Sequence, residues 1–295
     1  MTETVAFQGS VLSSTACELG EGPTYDPQTD TVWWFNILGR ELHELSVSTG
    51  DVKVHALPFK ASVLARIDGD RQLIASDQGL MIRDSRTGAF ERYLELEPAH
   101  MGNRSNDGRV HPSGALWLGT MGLKAQTGAG SIYHVAKGSV TRIVTGVSIP
   151  NAICLSPDGK AGYYTDTKVN RIMRLPLDPA TGLPTGDAAL FLDTSDRPGG
   201  ADGAVCDADG AIWNARWGEG AVDRYDADGR HLARYQVPAK RTTCPAFFGA
   251  GGRRMLVTTA FEGASDKERA EDSQAGFTFD LGIDVAGRLE PCFVL

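Results

Sequence analysis

Six turn-forming tetrapeptides recur along the chain at nearly constant intervals, and no other feature limits the fold as strongly. They are Asp26-Pro27-Gln28-Thr29, Ile67-Asp68-Gly69-Asp70, His111-Pro112-Ser113-Gly114, Ser156-Pro157-Asp158-Gly159, Asp207-Ala208-Asp209-Gly210 and Gly249-Ala250-Gly251-Gly252. Their first residues are separated by 41, 44, 45, 51 and 42 residues. A short apolar run follows each turn, at 32–36, 72–76, 115–120, 161–165, 211–215 and 254–259. Asp-Gly between two such runs is a hairpin signal, because glycine accepts the positive φ of a tight turn. Two more strand-like pieces complete each unit, for example 41–47 with 52–57 and, in the last unit, 276–279 with 289–294. Four strands every 40 to 50 residues predict an all-β chain, a six-bladed β-propeller with four antiparallel strands per blade, spanning 1–295 as one domain. The leftover stretch 3–14 is expected to pair with the blade from the other terminus and close the ring. Helical periodicity is weak except in the charged run 264–273, read as one surface helix or a loop.

The 41% hydrophobic fraction is enough for a core, and 35 glycines fit a turn-rich chain. No apolar run approaches the ~18 residues of a membrane span, and the first residues lack signal-peptide character. The net charge of −8 argues against nucleic acid, whose phosphates call for a basic face. Cys17, Cys154, Cys206, Cys244 and Cys292 are odd in number and widely spaced, which predicts reduced, mostly buried thiols in a cytoplasmic protein. A monomer or weak homo-oligomer is expected.

Five residues before each turn stand Glu21, Ser62, Asn106, Asn151, Asp202 and Cys244. In a propeller the innermost strands line the central channel, so these positions form a ring at one depth. Four of the six are oxygen donors of the kind hard cations prefer. Glu21 and Asp202 side by side in a desolvated channel would either raise one pKa or bind a cation. Asn151, with Asn106, adds neutral amide oxygens, a donor set suited to Ca²⁺, Mg²⁺ or Mn²⁺ rather than structural zinc. The same side chains could instead cap strand ends or fill the channel with hydrogen bonds; the register alone leaves both readings open.

Leu19-Gly20-Glu21-Gly22-Pro23, Asn103-Arg104-Ser105-Asn106-Asp107-Gly108, Gly119-Thr120-Met121, Pro150-Asn151-Ala152, Ser156-Pro157-Asp158-Gly159 and Ala201-Asp202-Gly203 together resemble the SMP-30/gluconolactonase (regucalcin-like) family, from Leu19 to about Thr259. The resemblance implies a six-bladed propeller with one divalent metal in its channel and hydrolysis of a sugar lactone. Glu21, Asn151 and Asp202 match the family's metal ligands, with Ca²⁺ the first expectation and Mg²⁺, Mn²⁺ or Zn²⁺ the alternatives. Arg104 and Asn106 match its substrate-contacting pair. Ala201 stands where the family commonly has proline, a departure expected to loosen the local backbone without chemical consequence.

On this reading the metal polarises the lactone carbonyl and stabilises the oxyanion formed as water attacks. Asp202 is expected either to take the proton from that water or to position a hydroxide on the metal. The loops at 121–130 and 261–276 are the longest on the ligand side and should wall the pocket, the second being a candidate lid. Lys124, Arg104, Arg197 and Arg241 are placed in or beside loops at the mouth, with Lys124 assigned to substrate binding. They favour a lactone that also carries a carboxylate, of the uronic or aldaric type, although Lys124 and Arg197 could equally be solvated surface charges. A phosphotriester hydrolase would use the same geometry with a more apolar pocket. A non-enzymatic calcium-binding propeller would not need the Arg104–Asn106 pair.

Several suggestive patterns fail on inspection. The acidic turns at 207–210 and 226–229 lack the glutamate an EF-hand requires at its twelfth position. No GxSxG elbow, GxGxxG or phosphate-binding P-loop is present. His43, His55, His100, His111, His134 and His231 show no ligand spacing. Trp33, Trp117 and Trp213 occupy similar places in second strands and are expected to pack between blades.

Overall fold

The computed structural model describes residues 2–97 and 102–295; His100 lies outside the described residues. Its antiparallel sheets follow the turn repeat and form six four-stranded blades around a channel. The innermost strands are Gly20–Asp26, Ala61–Arg66, Asn103–Val110, Pro150–Leu155, Gly200–Cys206 and Thr242–Phe248, for blades 1 to 6 in order. Each pairs outward with the next strand in sequence, as short hairpin connections dictate. Contacts between the inner strands of blades 6 and 1 complete the circle.

The core is distributed. Among the described residues, six apolar clusters fill the wedges between adjacent blades. Trp33, Phe35 and Ile74 lie between blades 1 and 2, Trp117, Ile132 and Ile153 between 3 and 4, and Trp213, Val257 and Phe279 between 5 and 6. The second-strand tryptophans are therefore interblade packing. Small residues such as Ala152, Ala201 and Ala204 fill the wedge between blades 4 and 5. Four cysteines are buried and all five are free thiols. Among the described residues no helix is long and apolar enough to cross a membrane.

The two ends of the chain depart from simple repetition. Ser10–Ser13 pairs antiparallel with Thr278–Asp280 and supplies the outer strand of blade 6, so the first and last parts of the chain share one sheet. Glu3–Val5 adds a parallel fifth strand to blade 5. The stretch 289–294, expected as the outer strand of blade 6, is not a strand. Past Gly282 (φ 70°) the chain turns away and crosses the turn-bearing end of the channel. It bonds in succession to blade 6 through Val285 N–H to the Arg253 carbonyl and to blade 5 through the Ala286 carbonyl, which accepts from Ala208 N–H. It then reaches blade 2 through Phe293 N–H to the Arg66 carbonyl. Phe293 is buried in the wedge between blades 2 and 3. An outer position already taken by Ser10–Ser13 left this segment to satisfy its backbone elsewhere.

The run 264–273 contains a short helix, Asp266–Glu271, started by a capping box in which Ser265 and Glu268 bond reciprocally.

Candidate active site at the mouth of the channel

All six inner strands slip register at the same point. The slips fall between Glu21 and Thr24, Ala61 and Val63, Ser105 and Gly108, Asn151 and Cys154, Ala201 and Ala204, and Thr242 and Pro245. A bulge leaves residues outside the ladder and re-aims their side chains. Here it is repeated around the ring at the depth of Glu21, Ser62, Asn106, Asn151, Asp202 and Cys244. The backbone is specialised to match. Gly22 has φ 57°, and a Cβ there would strike the Ser62 carbonyl; Ala152, after Asn151, holds φ 51° without being glycine. Such a left-handed alanine costs on the order of 1 kcal/mol and persists where the surroundings fix it.

Glu21, Arg104, Asn106, Asn151 and Asp202 line one cavity of about 250 Å³, together with Glu262 and the apolar Leu19, Met121, Ile149 and Trp217. Thr167 also reaches it. One chain of hydrogen bonds orders its polar wall. Arg104 Nη1 donates to Asn106 Oδ1 (2.7 Å), Asn106 Nδ2 to Asn151 Oδ1 (2.9 Å), and Asn151 Nδ2 to Thr167 Oγ1 (2.9 Å). Thr167 Oγ1 then donates to the Ala201 carbonyl (2.8 Å), next to Asp202. The chain fixes the orientation of both amides, with Asn151 Oδ1 accepting from Asn106.

The other two positions of the ring are engaged elsewhere. Ser62 Oγ donates to Ser105 Oγ (2.7 Å), and Cys244 Sγ accepts from Arg109 (3.1 Å).

The electrostatics fit a cation. Glu21 and Asp202 are both buried and near enough to couple. Burial above all, with repulsion from neighbouring carboxylates, raises both well above the usual carboxylate range. Glu21 accepts a hydrogen bond from Gly22 N–H (3.1 Å), little compensation for a desolvated charge. Asp107, just below, is pushed up to about 6 by burial, against the pull of Arg109 and the N–H groups of Ile153 and Gly108. Among the described residues no three His, Cys, Asp or Glu side chains gather in metal-binding geometry. A cation here would rest on two carboxylates and the amide oxygen of Asn151, a hard all-oxygen set.

The expected cations separate on inspection. Arg104 lines the cavity, and burial lowers its guanidinium while Glu262, Glu21 and Asp202 oppose that effect. Lys124 is exposed, and its neighbour Ala125 is the residue of that loop that lines the cavity. Arg197 binds Asp223 (2.6 Å) and the Tyr225 hydroxyl (3.0 Å) on blade 5. Arg241 reaches Glu268 at 3.5 Å. His43 and His111 are buried away from the mouth, His111 bonding the Gly159 carbonyl.

Two acids escaped the sequence reading. Asp107 adjoins Asn106, and strict strand alternation would send it to the opposite face; the bulge between Ser105 and Gly108 cancels that alternation. Glu262 sits in a loop without a motif, so only the fold brings it to the cavity.

A closed ring of six blades with acids and amides gathered in one cavity at the mouth of its channel defines a six-bladed β-propeller with an acid-lined pocket. The chain belongs to the SMP-30/Gluconolactonase/LRE-like family, whose sequence model matches residues 19–261. A Rhizobium meliloti (strain 1021) protein whose name places it among sugar lactone lactonases is 59% identical, over 100% of each chain. The L-arabinolactonase of Azospirillum brasilense is 34% identical, covering 93% of this chain and 91% of its own. The crystal structure of a calcium-binding protein, regucalcin, from Agrobacterium tumefaciens str. C58 superposes with a TM-score of 0.99 at 61% identity, covering 100% of both chains.

Proposed function

We propose that this chain is a lactonase that adds water across the ester bond of a monosaccharide-sized sugar lactone and releases the open hydroxy acid. The observation that carries this reading is the meeting of Glu21, Asn151 and Asp202 with Arg104 and Asn106 in one 250 Å³ cavity. The relatives named for sugar-lactone chemistry, and the calcium-binding neighbour, support it.

Glu21, Asn151 and Asp202 would hold a divalent cation, Ca²⁺ by the hardness of the donors. When bound, it supplies Lewis-acid polarisation of the lactone carbonyl. Arg104 and Asn106 bind ring hydroxyls, Arg104 as donor and Asn106 through an amide already oriented by its neighbours. Asp202 accepts a proton as the water oxygen bonds to the carbonyl carbon. It returns that proton to the ring oxygen as the carbon–oxygen bond opens. The apolar side chains Leu19, Met121, Ile149 and Trp217 keep bulk water from the reacting ester.

The cavity favours a neutral sugar lactone over a carboxylated one. Of the four cations expected to recruit a carboxylate, Arg104 alone lines it, among three carboxylates; Arg197 and Arg241 are paired with acids, and Lys124 faces solvent.

The test is a pH-stat panel of aldonolactones, an aldarolactone and a phosphotriester, run before chelation, after it and after Ca²⁺ is restored. Turnover of an aldonolactone that falls on chelation and returns with Ca²⁺ is the expected result. Turnover of the phosphotriester alone, or cation binding without any turnover, would replace the reading with one of its rivals.

A further inference from the structure

We infer that Glu262 is a specificity-determining residue: an acceptor for a sugar hydroxyl that also turns away lactones bearing a carboxylate. The inference rests on the lactonase reading above and extends it to a side chain from outside the metal-ligand ring.

Glu262 comes from the long connection after Arg254–Thr259 of blade 6, yet it lines the same cavity as Arg104 of blade 3. The root of its loop is fixed. Phe261 N–H and Glu262 N–H both bond to the Glu18 carbonyl, at 3.1 and 2.8 Å, just before the inner strand of blade 1. The helix Asp266–Glu271 and the Arg241–Glu268 contact hold the far side of the loop. Glu262 is therefore presented by an anchored segment.

Its foremost charge partner is Arg104, and it is in turn the foremost carboxylate acting on Arg104. The two do not close into an ion pair at 4.0 Å or less. Arg104 instead spends Nη1 on the Ser105 carbonyl and Asn106 Oδ1. Arg104 and Glu262 thus line one cavity from blades on opposite sides of the ring, without pairing with each other. A donor and an acceptor on opposite walls suit a hydroxyl-bearing ring, which can accept from one and donate to the other. A substrate carboxylate in that cavity would lie against Glu262, a like-charge juxtaposition that disfavours the wrong ligand.

The experiment compares kcat/KM of wild type, Glu262→Gln and Glu262→Asp on a neutral aldonolactone and on an aldarolactone. Glu262→Gln should shift the ratio of the two by about tenfold or more toward the aldarolactone, mostly through KM. Glu262→Asp, which keeps the charge, should hold the wild-type ratio even where its rates fall. Equal losses on both substrates in Glu262→Gln, with the ratio unmoved, would overturn the inference. A general loss of loop structure would lower both rates together, whereas the ratio reports selectivity. If wild type opens no lactone at all, the lactonase reading itself fails, and that outcome is visible before any variant is made.

Discussion

The two ends of the channel are made from the same six strands and finish in opposite states. At the mouth, Glu21 and Asp202 are buried with few donors, and Arg104 and Glu262 line the same cavity without forming an ion pair. At the turn-bearing end, polar groups are matched apart from Arg66 Nε. Arg109, from blade 3, spans the channel and donates to the carbonyls of Pro23 on blade 1 (3.2 Å) and Pro245 on blade 6 (3.1 Å), as well as to Cys244 Sγ. Glu290 of the C-terminal crossing approaches it at 3.7 Å, and Arg288 bonds the carbonyls of Leu155 (2.6 Å) and Cys206 (3.1 Å). Only about 40 Å³ of free space is left beneath that crossing. Like charges buried together are costly unless a proton or a cation compensates them, which sets the mouth apart from the paired end. One end of this channel is tied across the ring by hydrogen bonds; the other gathers buried acids that repel each other.

The sharpest break of this contrast is Asp202→Asn. If the mouth is chemical, lactone turnover should fall by about a thousandfold, within the range for removing a general base. Thermal stability should hold or rise, because one of two repelling carboxylates is gone. Turnover within tenfold of wild type would remove Asp202 from the mechanism. A large fall in melting temperature would make the mouth structural, as the other end is.

The spacing of the turns was enough to reveal the ring, because each blade is a local meander and its hairpin chemistry is written in adjacent residues. The offset of five residues to Glu21, Asn106, Asn151 and Asp202 was legible for the same reason: the bulge recurs in every inner strand and preserves the count. What escaped depends on long-range placement. Glu262 reaches the cavity because blade 6 lies beside blade 1, and Asp107 turns inward because a bulge breaks alternation. The C-terminal crossing was misread as a strand since the repeat calls for a fourth strand in the last unit, while the competing claim of Ser10–Ser13 on the same edge is visible only once the ring closes. Lys124 was placed at the mouth by proximity along its loop; it is exposed, and its neighbour Ala125 lines the cavity.

Arg109→Met tests the structural end. Methionine keeps apolar bulk but leaves the Pro23 and Pro245 carbonyls without their guanidinium donor and Glu290 without its neighbouring cation. Removing one partner from a buried charged network costs about 3–5 kcal/mol. Denaturant titration should show a loss of roughly 4 kcal/mol, with selectivity among lactones unchanged in whatever protein remains folded. A loss below about 1 kcal/mol, the scale of a single ordinary hydrogen bond, would mean that the inner strands of blades 1 and 6 do not depend on this guanidinium.

Asp107 lies between the two ends and discriminates them by pH. Its folded pKa of about 6 is raised from 3.8, chiefly by burial. A raised carboxylate contributes stability that is fully present below the unfolded value and lost as pH climbs through the folded one. In chelator-treated protein, wild type should therefore lose ground to Asp107→Asn as pH rises from about 4 to beyond 6, by ~2–3 kcal/mol. Glu21 and Asp202 feel the Asp107 charge, so the difference between the two stability curves reports Asp107 together with its repulsion of those two acids. A difference independent of pH would mean that Asp107 is already compensated by Arg109 and belongs to the paired end. A difference that grows with pH would place the boundary between the two ends above Arg109 and below Asp107, within a single strand of blade 3.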